Sequence, residues 1–228
     1  MIVKPQKGKH VIVHGDSSLA RFKRSFDLII TSPPYFHMVK KSRSRGFSPP
    51  TKDLEVYSKY VATVLLQSAE GLKVGKFLCV IKTDAWYRGQ LMPIGYSIAN
   101  ECVRQGLPLH AHWIWERMPH YSPYSPSFAN IFIFGQPPLR RICHSGIITN
   151  AQLKKPSSHW TSFTPEVFET LIEILCEPEG TVLDPFLGTG SVIEAAARSG
   201  RWAVGIEISH KQIATARKLL TTRQVIIC

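Results

Sequence analysis

Thr31-Ser32-Pro33-Pro34-Tyr35 follows the apolar run Phe26-Asp27-Leu28-Ile29-Ile30. Two consecutive prolines neither continue a helix nor donate to a sheet ladder, so the backbone leaves the strand as a stiff corner with its carbonyls and flanking side chains outward. There the Ser32 hydroxyl oxygen and the Pro33 carbonyl can accept the two hydrogens of a weakly nucleophilic exocyclic amine, as on adenine N6 or cytosine N4. Both bonds oppose delocalisation of the nitrogen lone pair into the ring, and Tyr35 can stack on the base face. Such a corner prepares nitrogen for methyl transfer. The plainer reading is a proline-rich exit from a buried strand.

A second constellation lies near the other end of the chain. Thr181-Val182-Leu183-Asp184 reads as a buried strand, Pro185-Phe186-Leu187-Gly188-Thr189-Gly190 as a glycine-containing turn, and Val192 to Arg198, after Ser191, as a helix of small residues. Gly188 and Gly190 let the backbone approach a bound cofactor, and the helix N-terminus offers orphan amides to a carboxylate. The next strand, Trp202 to Ile208, ends around Glu207, whose carboxylate can accept from both ribose hydroxyls. A nicotinamide-dinucleotide site is the natural alternative, but Ile193 stands where its third glycine belongs.

Both constellations need a sheet to hold them. The sequence predicts a strand over His10–Val13, a short helix over Leu19–Phe26, an amphipathic helix over 54–72 and a buried strand over Lys76–Lys82. A helix over Pro93–Gln105 and strands over Leu109–Glu116 and Asn130–Gly135 follow, with Trp113 and Trp115 on one face of the first of these strands. Thr164 caps a helix opened by Pro165. Asp16, at the edge of the first strand, either accepts from an adenine amino group or caps the next helix. Asp84 either lines the base pocket or caps a turn.

The chain of 228 residues, 44% hydrophobic and 19% charged, suits one α/β domain over 1–228. It has no apolar run of membrane-spanning length, and MIVKPQKGKH lacks the apolar core of a secretory signal, so a cytoplasmic location is expected. The five cysteines are scattered without CxxC spacing, and no histidine cluster has ligand spacing; no metal site is expected. No Pro-Cys dipeptide occurs, which disfavours covalent chemistry at cytosine C5. A net charge of +12 favours a polyanionic partner. Lys40, Lys41, Arg43 and Arg45 lie in an aperiodic loop at 36–53, and Arg140 and Arg141 in another at 136–159. These cations suit phosphate contacts, or they belong to ordinary solvated loops.

TSPPY and DPFLGTGS together resemble the catalytic and cofactor motifs of the DNA amino-methyltransferases that methylate cytosine N4 or adenine N6. The catalytic motif precedes the cofactor motif, as in the circularly permuted beta class, and the resemblance covers nearly the whole chain. It implies a doubly wound, Rossmann-like methyltransferase fold, a mixed and mostly parallel sheet with helices on both faces, and adjacent strands at 27–31 and 181–184. It implies S-adenosylmethionine as cofactor, held by Asp16, Thr31, Phe163, Thr164, Asp184, Pro185, Phe186, Gly188, Gly190, Ser191 and Glu207. It further implies catalysis by Ser32, Pro33, Pro34 and Tyr35 on a base flipped out of double-stranded DNA, and a short target-recognition region at about 117–160. Residues 157–163 lack the expected His-Pro and Lys-Pro pairs, and Ser191 replaces the usual threonine. Serine before Pro-Pro-Tyr favours cytosine N4 over adenine N6; a catalytically silent DNA-binding module and an RNA methyltransferase are the rival readings. The resemblance also leaves room for a homodimer and for a cognate restriction endonuclease in the same system, without a stable complex between the two.

Overall fold

The two apolar runs that end in the motifs become neighbouring parallel strands at the centre of one sheet. The computed structural model describes residues 2–6, 8–36, 53–87, 89–116, 128–149, 165–219 and 225–227. In chain order its elements are β1 (Ile2–Val3), β2 (His10–His14), β3 (Arg21–Phe22), β4 (Phe26–Thr31), α1 (Leu54–Ala69), β5 (Leu72–Lys82), β6 (Ala85–Tyr87), β7 (Gln90–Met92) and α2 (Ile94–Arg104). They continue with β8 (Leu109–Glu116), β9 (Phe128–Phe134), β10 (Ile147–Ile148), α3 (Pro165–Leu175), β11 (Thr181–Asp184), α4 (Ser191–Arg198), β12 (Trp202–Glu207), α5 (His210–Leu219) and β13 (Val225–Ile227).

The main sheet has nine strands in the order β10-β8-β9-β5-β4-β11-β12-β2-β13, and only β9 runs antiparallel to its neighbours. β4 and β11 pair directly, Val182 opposite Leu28 and Leu183 opposite Ile29, as expected. At their amino ends the buried Asp27 carboxylate accepts from Lys73 Nζ on β5 and from the Thr181 amide on β11, both at 2.9 Å. From β4 the chain proceeds to β5 on one side, while from β11 it proceeds through α4 to β12 on the other. The carboxyl ends of β4 and β11 therefore form a topological switch point, where diverging connections leave a crevice.

Strands buried on both faces read as continuous apolar runs, since neither face meets water. Leu28, Ile30, Phe77, Cys79, Ile81 and Val182 pack with α3, α4 and α5. The alternate residues Ile29, Leu78, Val80, Leu183 and Val204 pack with α1 and α2 on the opposite face. Trp113 and Trp115 are both buried on the α3 side, and Trp113 stacks on His144 at 4.4 Å between ring centroids.

Two expected elements are corrected. Leu19–Phe26 is no helix: Asp16 caps a single 3-10 turn at Ser17–Leu19, and Arg21–Phe22 then pair with Ile2–Val3 as a small parallel ribbon. Leu19, Phe22 and Phe26 stand at helical spacing, but Phe26 is buried as the first residue of β4 and Leu19 is exposed, so no helical face is buried there. The helix expected over 54–72 ends at Ala69, because Leu72 pairs with Phe26 and opens β5. Among the described residues, no helix is long and apolar enough to cross a membrane, and no group of side chains could hold a metal ion.

Candidate active site

Thr31, the last residue of β4, is fully buried and donates its Oγ1 proton to Asp184 Oδ1 at 2.6 Å, across the switch point. The same carboxylate oxygen accepts from the Phe186 amide at 3.0 Å, so Asp184 fixes both β4 and the turn that follows its own strand. Burial pushes the Asp184 carboxyl up to about 7; the Thr31 and Phe186 bonds oppose that rise, and the nearby Glu207 carboxylate adds to it. A carboxyl raised above its unfolded value stabilises the fold fully below that value and loses the contribution as pH climbs through the folded one. The cofactor-free protein should therefore lose thermal stability between about pH 4 and about pH 7. Asp184→Asn should flatten that part of a Tm-against-pH series; an unaltered slope would show that Asp184 is ionised throughout.

Beyond Asp184 the chain turns at Gly188 and Gly190, both in the left-handed region at φ 55° and 94°. An alanine at 188 would meet nothing closer than the Phe186 carbonyl at 3.9 Å, so glycine is required there by backbone conformation and not by crowding. Gly190 caps α4 without a side chain, which leaves the amides of the first turn directed at the crevice. The Gly188 amide donates to Glu207 Oε2 and the Ser209 amide to Oε1, each at 2.8 Å. Each carboxylate oxygen keeps a further lone pair. Burial raises the Glu207 carboxyl, and these amide bonds work against that rise.

Asp16 stands at the carboxyl edge of β2, which pairs with β12. Its Oδ1 accepts from the Ser18 amide and hydroxyl at 2.8 and 2.7 Å, the capping role. Beside it the buried Ser17 hydroxyl donates to the Pro185 carbonyl, joining this turn to the one after β11. Asp16, Thr31, Asp184, Pro185, Phe186, Gly188, Gly190, Ser191 and Glu207 thus share one rim of the sheet.

Ser32 is half-buried and Tyr35 is exposed at the end of the same strand. The sequence reading missed what lies against this corner. Lys82, at the end of β5, donates to the Pro33 and Pro34 carbonyls, and the Tyr57 hydroxyl on α1 also donates to Pro34. The available signal was a lysine placed directly after the apolar run Phe77–Ile81. Asp84 accepts from the Gly95 amide in the first turn of α2 at 2.9 Å and from the Asn130 side chain on β9 at 3.2 Å, so it braces more distant elements than the turn that follows it.

Arg140 does not join the corner. Its guanidinium lies 5.6 Å from the Phe77 ring centroid and donates to the Ile174 carbonyl near the end of α3, in the amino-end half of the sheet. That contact fastens the loop to α3. Arg141 is exposed in the same segment. Lys40, Lys41, Arg43, Arg45, Phe163 and Thr164 lie outside the described residues, as do residues 117–127 and 150–160 of the expected recognition region.

Residues 144–218, which span the glycine turn and α4, match a family model described as DNA methylase. The type II methyltransferase M2.DpnII of Streptococcus pneumoniae is 22% identical over 252 aligned residues, which cover 96% of this chain and 93% of that protein. The type II methyltransferase M.ScaI of Streptomyces caespitosus is 40% identical over 52 residues, 23% of this chain and 17% of its own. Among solved structures, a candidate DNA modification methylase from Thermus thermophilus, complexed with S-adenosyl-L-methionine, aligns with a TM-score of 0.76 at 22% identity, covering 96% of this chain and 99% of that one. The cytosine-N4-specific PvuII DNA methyltransferase aligns with a TM-score of 0.72 at 16% identity, covering 92% and 86%. The fold is that of the S-adenosylmethionine-dependent methyltransferases.

Proposed function

We propose that this chain is a DNA amino-methyltransferase that transfers a methyl group from S-adenosylmethionine to the exocyclic N4 of a cytosine flipped out of duplex DNA. The observation that carries the reading is the 2.6 Å bond from Thr31 to Asp184, which ties the proline corner to the glycine turn across the switch point. An amine-binding corner and a cofactor turn on adjacent strands bring two reactants together, the main requirement of a transfer between bound partners. The match of residues 144–218 and the likeness to M2.DpnII support a DNA substrate.

The residues present fit the cofactor. Glu207 offers two carboxylate oxygens already oriented by backbone amides, and the uncapped first turn of α4 offers donors to a carboxylate. S-adenosylmethionine supplies the sulfonium methyl group. Ser32 and the Pro33 carbonyl accept the two amino hydrogens, which keeps the nitrogen lone pair available, and Tyr35 stacks on the base. Flipping the base costs a few kcal/mol, which the pocket and phosphate contacts offset. In this reading residues 1–228 form one methyltransferase domain, a circularly permuted member of the beta class working in the cytoplasm. The loop at 36–53 contacts phosphates, and 117–160 reads the target.

The test is nucleoside mass spectrometry of DNA incubated with the protein and methyl-labelled S-adenosylmethionine. N4-methylcytosine is the expected product. N6-methyladenine would keep the mechanism and reverse the base; no methylated base on DNA of varied sequence, with cofactor binding verified separately, would overturn the reading.

A further inference from the structure

Lys82 is 1% exposed, and its Nζ donates to the Pro33 carbonyl at 2.8 Å and the Pro34 carbonyl at 2.7 Å. It stands 5.1 Å from the centroid of the Tyr35 ring and 5.7 Å from that of Tyr57. Among the described residues no carboxylate forms an ion pair with it; the oxygens of the nearby Asp84 meet the Gly95 amide and the Asn130 side chain instead. A buried ammonium surrounded by carbonyls and rings is costly without a counter-charge. An uncharged amine is far less so, and it still has two N–H donors for the two carbonyls.

We infer that Lys82 is a positioning residue for the transfer step and works as the uncharged amine, fixing the Pro33 and Pro34 carbonyls through two neutral hydrogen bonds. This rests on the amino-methyltransferase reading above. As the N–C bond forms and the C–S bond breaks with its electron pair on sulfur, the attacking nitrogen becomes positive until one amino proton passes to water. Pro33 is the carbonyl assigned to that nitrogen. An ammonium at 2.8 Å from its oxygen would draw acceptor strength away and oppose the developing charge. The neutral amine keeps the geometry and removes the opposition.

Among the described residues, the charged and titratable groups facing Lys82 are Asp84, which follows on the same segment, Tyr35 of the corner and Tyr57 from α1, while the neutral Asn130 on β9 pairs with Lys82 in register. Burial lowers the Lys82 ammonium to about 7, with the Asp84 charge working the other way, while burial raises the Tyr57 phenol and keeps it neutral. Around neutrality the amine form is therefore accessible.

Single-turnover methyl transfer to DNA, at saturating S-adenosylmethionine and over a pH series, tests the assignment with wild type, Lys82→Gln and Lys82→Met. Wild type should gain rate about tenfold per pH unit up to a plateau above about pH 7. Lys82→Gln, which keeps N–H donors and has no charge to lose, should lack that step and retain much of the plateau rate. Lys82→Met, which has no donors, should be slower by about tenfold or more at every pH, with cofactor and DNA dissociation constants close to wild type. A step that persists in Lys82→Gln, a flat wild-type profile, or a full rate in Lys82→Met would each overturn the inference. If Lys82→Met fails to fold, the Lys82→Gln profile decides. Wild type that methylates no DNA would instead sink the functional reading, so the two failures are distinguishable.

Discussion

Ser32→Ala should lower the rate of methyl transfer by about two orders of magnitude, the usual worth of a positioned proton acceptor, with the Tm nearly unchanged. The hydroxyl of Ser32 makes no hydrogen bond within the described structure, so its loss removes an acceptor for the amine and nothing from the fold. Tyr35→Ala removes the stacking surface, worth about 1–3 kcal/mol per base, and should cut both the rate and the capture of the flipped base. Tyr35→Phe keeps the ring and should stay near wild type. Binding of duplex DNA by anisotropy should hardly move in any of these variants, because phosphate contacts dominate affinity and the corner makes none. Stopped-flow transfer rates beside anisotropy separate the two effects. Undiminished turnover in both alanine variants would remove the corner from catalysis and favour a protein that keeps the fold for binding alone.

Glu207→Ala should cost the larger part of the cofactor affinity, about a hundredfold or more in the dissociation constant by calorimetry. Two effects add. The carboxylate no longer meets the ribose hydroxyls, and the Gly188 and Ser209 amides, which it holds at 2.8 Å, lose their acceptor. Hydrogen bonds to a charged group are worth about 1.5–3 kcal/mol each. Gly188 sits at positive φ in the turn leading to α4, so releasing its amide also loosens the donors expected to meet the cofactor. Glu207→Gln is the sharper probe: it preserves one oxygen but sets an amide group against one of the two N–H donors. A Glu207→Ala protein that melts lower yet binds S-adenosylmethionine as tightly as wild type, measured well below its Tm, would reduce Glu207 to a brace for the turn.

The parts of the site legible in the sequence are those whose backbone is constrained by residue type. Pro33-Pro34 forces the chain out of β4 wherever the strand ends, and the turn from Asp184 to Gly190 needs glycines at 188 and 190 because those positions lie at positive φ. β8 falls where alternation placed it, Leu109–Glu116, and the core strands are recognisable because parallel strands covered on both faces must be apolar throughout. The stretch 19–26 misled because Leu19, Phe22 and Phe26 follow the Asp16 cap at helical spacing, whereas β4 takes Phe26 and the cap starts only a 3-10 turn.

What the sequence determines by itself is local: a stiff proline corner after one buried strand, a glycine turn after another, and an acidic residue closing a third. Tertiary structure alone decides that the first two strands are neighbours at a switch point, since pairing between residues 28 and 182 has no signature within either segment. It also decides the charge state and partners of the groups between them. Asp184 meets Thr31 across 153 positions of sequence, and Lys82 meets Pro33 across 49. Burial is the main cause that raises the Asp184 carboxyl and lowers the Lys82 ammonium, and burial is a property of the assembled sheet that no single segment carries.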